Sequence, residues 1–291
     1  MSVCALSHLL LAATRRLEAG GIPAGEARRE ARILLGHALG ISHEEMRLRP
    51  EREVSGEDAA RFESLVARRA AREPLAYLTG TRPFYGLTFE VTPAVLIPRP
   101  ETEFVVEAAL AGLGPDPKLL DVGTGSGCIA IAVAVNAPAA TVYATDLSPE
   151  ALAIARRNAA RNGVAERITF AEGDLLAPVA DAGPFDVIAS NPPYIAPEEI
   201  ERLEPEVRDW EPRLALGTHP DALHFYRRLA AEAPPLLVSG GALIAEVGQG
   251  QAEAVMALWR AVGLLDVHVI PDLAGIPRVV TGRRSTPGPA S

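Results

Sequence analysis

The stretch Leu119–Ala134, "LLDVGTGSGCIAIAVA", constrains this chain more than any other. A short apolar run ends at Asp121 and Val122. Three alternate glycines follow, and a second apolar run then continues too far for one strand. That pattern predicts a buried strand, a tight turn and a buried helix. Glycine permits positive φ and lets a ligand approach the backbone beneath the amides of the following helix. Beyond Lys118 strand-like and helix-like segments alternate, which implies a mostly parallel sheet built of βαβ units. Strands are predicted over Lys118–Val122, Thr141–Asp146, Ile168–Glu172, Phe185–Ser190, Ala242–Val247, Val267–Pro271 and Arg278–Gly282. The last two are separated only by "DLAGIP", so they should form an antiparallel hairpin at the sheet edge. Ser148 before Pro149 starts a helix that Asn162-Gly163 ends. The fold class is α/β, with a Rossmann-like seven-stranded sheet.

The front of the chain reads differently. From Leu6 to about Glu73 apolar residues recur at helical spacing, as in Ala31, Leu34, Leu35 and Ala38, then Phe62, Leu65, Val66 and Arg69. Ser42 and Ser55 stand where N-caps are needed. Residues 1–74 are therefore expected to form a bundle of four or five short helices. Residues 75–97 alternate with period two around Phe84, Leu87, Phe89 and Val91, which predicts a β-hairpin linker. Residues 98–284 make the larger domain, and residues 285–291, "STPGPAS", are expected to be disordered.

Composition excludes several function classes. The net charge of −9 argues against a broad nucleic-acid footprint. Apolar runs such as Cys128–Val135 are too short to cross a bilayer, so no membrane association is expected. The two cysteines, Cys4 and Cys128, give no disulfide framework and suit a reducing, cytoplasmic location. The six histidines are scattered without ligand spacing, so no metal is expected. A monomer is the expected state.

Two acids extend the glycine turn. Asp146 closes the second predicted strand, where a carboxylate can accept bonds from ribose hydroxyls. Asp174 follows the third, near the place of an adenine amino group. Ligands of open α/β sheets bind outside the carboxyl ends of the strands. The Gly-x-Gly-x-Gly spacing suits S-adenosylmethionine better than the dinucleotide fingerprint, because Cys128 stands where that fingerprint's third glycine would be. A class I methyltransferase sheet is then the leading reading.

The fourth predicted strand runs into "SNPPYI". Pro192 and Pro193 fix an extended turn that offers the Asn191 side-chain oxygen and the Pro192 carbonyl as two held acceptors. Two acceptors suit one planar –NH₂ donor, and the Tyr194 ring can lie on that planar group. An amide or exocyclic amine nitrogen is a weak nucleophile that gains positive charge as it attacks, and preorganised carbonyl dipoles stabilise that charge.

Together "EPLAYLTG", "FYGLTFEV", "VLIPRPETE", "LLDVGTGSGCIAIA", "SNPPYI", "EPRLAL", "YRRLA" and "AGIPRVV" resemble the glutamine N5-methyltransferases of class 1 peptide-chain release factors, over nearly the whole chain. The resemblance implies S-adenosylmethionine as cofactor, leaving as S-adenosylhomocysteine. It implies a release factor as partner, whose Gly-Gly-Gln glutamine is the acceptor, and a helical front domain that recognises it. Carried over, Gly123, Thr124, Gly125, Ser126, Gly127 and Asp146 would hold the cofactor, beside Asp174, Leu175 and Asn191. Asn191, Pro192, Pro193 and Tyr194 would hold the glutamine amide, with Asn191, Pro192 and Tyr194 catalytic. Leu175 stands where the family often has an aromatic. The loop Arg99–Thr102 resembles a segment near the cofactor, or Arg99 and Glu101 are an ordinary exposed pair. Residues Gly217–Leu223 depart from the family's Gly-Gly-x-Asp-Gly-Leu, which stiffens that loop. Glutamine methylation of a ribosomal protein, methylation of an exocyclic amine in nucleic acid, and a non-enzymatic cofactor sensor are the alternatives.

Overall fold

The structure is a computed structural model, and it describes residues 4–285. All but Ser285 of the tail expected to be disordered lies outside the described residues. The chain divides into two compact units. One runs to Thr81 and takes in Glu204–Trp210; the other comprises Arg82–Leu203 and the chain from Glu211 onward. No helix among the described residues is long and apolar enough to cross a membrane.

The first unit is helical, with helices Leu6–Ala19, Ala24–Leu39, His43–Leu48, Gly56–Ala70 and Leu75–Thr79. Ser42 and Ser55 cap as their positions predict: each hydroxyl accepts a backbone N–H three residues on, at 3.1 Å, from Glu45 and Asp58. The apolar faces meet in one core around Leu17, Leu34, Leu35 and Phe62. Arg69 is buried beside that core and forms ion pairs with Glu30 and Glu206, both at 2.8 Å. Glu206 also pairs with Arg72 at 2.6 Å, which holds the segment Glu204–Trp210 within this unit.

The second unit is built on a seven-stranded sheet. Its strands are β1 (Lys118–Val122), β2 (Thr141–Asp146), β3 (Ile168–Glu172), β4 (Phe185–Ser190), β5 (Leu237–Glu246), β6 (Leu265–Pro271) and β7 (Pro277–Arg283). Their spatial order is β6-β7-β5-β4-β1-β2-β3. β1 to β5 are mutually parallel, and β7 lies antiparallel between β5 and β6. The order reverses at β1, which places a crevice at the carboxyl ends of β1 and β4. β5 begins at Leu237, earlier than the predicted start at Ala242, because the strand continues through Gly240-Gly241 across a register shift against β4.

Successive residues of the central strands face opposite layers. Leu119, Val187 and Ile244 join the core beneath helices Glu103–Gly112 and Cys128–Asn136. Leu120, Ile188 and Leu243 join the core beneath helices His224–Glu232 and Ala252–Ala261. The hairpin is shorter than the expected 75–97: Leu75–Thr79 is helical, and only Thr81–Phe84 and Leu87–Glu90 pair, burying Phe84 and Phe89 in the first of these cores. Burying one such ring stabilises the fold by roughly 1.5–3 kcal/mol. Helix Pro149–Arg161 opens as predicted, with Ser148 Oγ accepting the Ala151 amide at 3.1 Å.

Candidate active site

The glycine turn is held from three sides. The Gly123 and Thr124 amides both donate to the Thr145 carbonyl at 2.9 Å. The Gly125 amide donates to Asp146 Oδ2 at 2.8 Å, and the Ser148 amide donates to Asp146 Oδ1 at 2.9 Å. Buried Asn158 donates to the Ser126 and Glu90 carbonyls at 2.9 and 3.0 Å, and accepts the Glu90 amide at 2.6 Å. The hairpin strand therefore braces the turn through one side chain.

The glycines themselves do two jobs. Gly127 has φ +83°, and a Cβ there would stand 2.8 Å from Ile131 and 3.2 Å from Ala155. Only glycine lets the following helix pack so closely. At Gly123 and Gly125 a Cβ would meet nothing within 4 Å, because both face open space along the cleft.

Beneath the turn lies Asp121, whose Oδ2 accepts from Thr124 Oγ1 at 2.6 Å and from the Ala130 amide at 3.1 Å. Burial pushes its carboxyl up to about 7, against the pull of those two donors. Burial also raises Asp146, against its amide donors.

One cleft gathers most of the residues singled out from the sequence. Gly123, Thr124, Gly125, Ser126, Asp146, Asp174, Leu175, Asn191 and Pro193 all line it. Gly127, Pro192 and Tyr194 are not among its lining residues. Gly127 is packed under the helix, and Pro192 is buried. Tyr194 packs its ring against the core beneath helix Ala252–Ala261. Its hydroxyl donates to Glu246 Oε1 at 3.4 Å, and its carbonyl accepts from Gln251 Nε2 at 2.9 Å. Burial raises the Tyr194 phenol far enough to keep it a neutral donor. Asp174 faces the cleft, but both of its oxygens accept from Arg228 Nη1, at 2.9 and 2.7 Å. Leu175 holds φ +47° while its carbonyl accepts from Thr145 Oγ1 at 2.8 Å.

Thr102 is legible in the sequence only as the end of the Arg99–Thr102 loop, and Glu246 and Tyr226 are not singled out there as site residues. Asn191 Nδ2 donates to Thr102 Oγ1 at 3.1 Å, and Thr102 Oγ1 donates to Glu246 Oε2 at 2.6 Å. Thr102 and Glu246 are 2% and 3% exposed, so the chain of bonds runs inward from the cleft wall, which Thr102 also lines. Tyr226 OH donates to the Glu246 carbonyl at 2.9 Å. Burial lifts the Glu246 carboxyl to about 6; Glu101 adds to the rise, while Thr102, Tyr194 and Arg278 oppose it. The signal was present in "GALIAEVG", where a carboxylate ends an otherwise apolar strand.

Arg99 and Glu101 do not pair with each other. Arg99 lines the cleft and binds buried Glu211 at 2.6 Å, while Glu101 lies 3.7 Å from Arg278. The exposed-pair alternative is thus replaced by two separate contacts, one with a buried acid. The departing loop keeps its first glycine for a clear reason. The Ile195 amide donates to the Leu216 carbonyl at 3.1 Å, and a Cβ on Gly217 would stand 1.8 Å from the Ile195 carbonyl oxygen.

The strand order with its antiparallel β7, the glycine turn, Asp146 and the Asn-Pro-Pro-Tyr step together define a class I α/β methyltransferase. Residues 8–80 match the PrmC N-terminal domain, and residues 102–203 match the methyltransferase small domain. A release factor glutamine methyltransferase from Cereibacter sphaeroides is 48% identical over 274 residues, covering 94% of this chain and 96% of its own. One from Geobacter sulfurreducens is 47% identical over 257 residues, covering 88% and 89%. The chain belongs to the release factor glutamine methyltransferase family. A solved methyltransferase from Pyrococcus furiosus shares the fold, with a TM-score of 0.53 at 20% identity over 77% of this chain and 98% of that one.

Proposed function

We propose that this enzyme methylates the side-chain amide of the glutamine in the Gly-Gly-Gln motif of class 1 peptide-chain release factors. The observation that carries this reading is the fixed Asn191 amide at the end of β4, on the wall of the same cleft as the glycine turn. The family resemblance supplies the acceptor protein.

The cleft suits S-adenosylmethionine. Gly123 and Gly125 leave its wall bare of side chains, and each Asp146 oxygen keeps acceptor capacity beyond its one amide bond. Leu175, Ile129 and Phe225 add apolar surface for a nucleoside base. When bound, S-adenosylmethionine supplies an electrophilic methyl group on a sulfonium. Gly123–Ser126, Asp146, Asp174 and Leu175 are the residues proposed to hold it.

The protein's own part is positioning and electrostatics. Asn191 Oδ1 and the Pro192 carbonyl accept the two hydrogens of the glutamine –NH₂. That orients the nitrogen and stabilises the positive charge that grows on it during attack. The prolines restrict the backbone, so these dipoles need little reorganisation as the reaction proceeds. Pro193 adds apolar cleft wall beside the amide, and the bonds of Tyr194 to Glu246 and Gln251 brace the turn. Residues 1–74 are proposed to recognise the release factor, which the match to the PrmC N-terminal domain supports.

Labelled S-adenosylmethionine offered in parallel with a release factor, ribosomal protein and RNA tests the reading. Label should enter the factor alone and be lost when its Gly-Gly-Gln glutamine is changed to alanine. Label retained on that control, or entering RNA instead, would overturn the assignment.

A further inference from the structure

A threonine hydroxyl has one proton to give. In the buried chain behind the cleft the Thr102 proton goes to Glu246 Oε2 over 2.6 Å, because an ionised carboxylate can only accept. Thr102 Oγ1 is then left as an acceptor. The 3.1 Å contact with Asn191 must therefore come from the amide nitrogen, Nδ2. Once Nδ2 is committed to Thr102, the Asn191 oxygen is the end left to accept from a substrate. We propose that Glu246, acting through Thr102, fixes which end of the Asn191 amide meets the acceptor nitrogen, making both residues positioning residues for methyl transfer. The inference rests on the reading that Asn191 accepts from a planar –NH₂ group.

The alternative orientation is damaging. A flipped Asn191 would present its own –NH₂ to the substrate –NH₂, donor against donor, and would add positive rather than negative potential beside the attacking nitrogen. An asparagine amide can turn over at little intrinsic cost, so its direction has to come from its partners. Glu246 is well placed to impose one. The Tyr226 hydroxyl binds its backbone carbonyl, Tyr194 approaches its second oxygen at 3.4 Å, and the side chain is almost wholly buried. The charged and titratable groups facing it are Glu101, Arg278, Tyr194 and Tyr226, with the Cys128 thiol feeling its charge from the glycine-turn helix.

The same relay predicts a pH signature. Protonated Glu246 could donate to Thr102, which would free the hydroxyl proton to turn toward Asn191 and favour the wrong orientation. Since burial places the Glu246 carboxyl near 6, kcat should fall as the pH drops through that value.

The test compares Thr102→Val, Thr102→Ser and Glu246→Gln in the full-length enzyme, measuring kcat with a release factor, cofactor Kd and the pH profile. Valine keeps the shape but removes the hydroxyl, so kcat should fall about 10- to 100-fold, with cofactor Kd changed by no more than about twofold. Serine should restore kcat to within about threefold of wild type. Glu246→Gln can donate to Thr102 and reverse the chain; it should lose activity like Thr102→Val and abolish the acid limb of the profile. Wild-type kcat in Thr102→Val would overturn the inference. So would equal losses of kcat, cofactor affinity and melting temperature in both threonine variants, which would mark a purely structural role. A wild-type enzyme that labels no release factor would overturn the functional reading itself, and the inference with it.

Discussion

The helical unit pairs its inner carboxylates with arginines, whereas two of those in the methyltransferase unit are held without a cation. In the helical unit Glu30 meets Arg69 at 2.8 Å, and Glu206 is shared between Arg69 and Arg72. In the methyltransferase unit Arg99 pairs with buried Glu211, but Asp121 and Glu246 are bound by hydroxyls and an amide rather than by a cation. The consequence is visible in their protonation. Burial lifts Asp121 to about 7 and Glu246 to about 6, whereas the two arginines hold Glu206 below its ordinary value despite burial. Charge that is paired serves the fold. Buried acids without a cation lie beneath the glycine turn and behind Asn191, where directed hydrogen bonds matter more than neutralisation.

The sharpest way to break this contrast is at the site itself. Asn191→Ala removes one of the two acceptors proposed for the amide. It should lower kcat about 10³-fold, equivalent to about 4 kcal/mol, while cofactor Kd measured by calorimetry stays within a few-fold. A parallel loss of cofactor affinity would move Asn191 from acceptor binding to cofactor binding.

The next effect belongs to the helical unit. Glu30→Ala leaves Arg69 buried with half its partners and should cost about 3 kcal/mol in urea unfolding. Replacing Arg69 and Glu30 together by Met and Leu should cost much less, because no uncompensated charge is left between them. Equal losses in the single and double variants would contradict a paired-charge role.

A smaller effect tests the acids without a cation. The raised Asp121 carboxyl stays protonated in the folded chain over a range where the unfolded chain has lost the proton. Its stabilising contribution is therefore complete below the ordinary aspartate value and is lost as pH rises toward about 7. Between pH 5 and pH 7.5 the wild type should lose roughly 2 kcal/mol more stability than Asp121→Asn. The asparagine keeps an oxygen for Thr124 and Ala130 but has no charge to desolvate. Identical pH dependence in the two proteins would show that Asp121 is not the titrating group.

Local sequence carried much of this molecule. The strand–turn–helix of Leu119–Ala134, the caps at Ser42, Ser55 and Ser148, and the hairpin around Phe84 and Phe89 all follow from residues close together in the chain. What stayed hidden depends on long-range meetings. Thr102 reaches Glu246 across 144 residues, and Arg99 reaches Glu211 across 112. No periodicity encodes such a pairing. The early start of β5 was not legible at Gly240-Gly241, because glycine marks both turns and sheet irregularities and only the neighbouring strand decides between them. The bonds of Tyr194 were not legible either, since a motif gives the residue but not the direction of its side chain. The bonds to Glu246 and Gln251 set that direction.

The central claim is that the cleft presents fixed acceptors to one glutamine amide. Tandem mass spectrometry of a release factor after incubation with this enzyme and S-adenosylmethionine tests it most directly. The account predicts a single added methyl group on the side-chain nitrogen of the Gly-Gly-Gln glutamine, absent when Asn191→Ala replaces the wild type. A methyl group found on any other residue, or the same yield from Asn191→Ala, would contradict it.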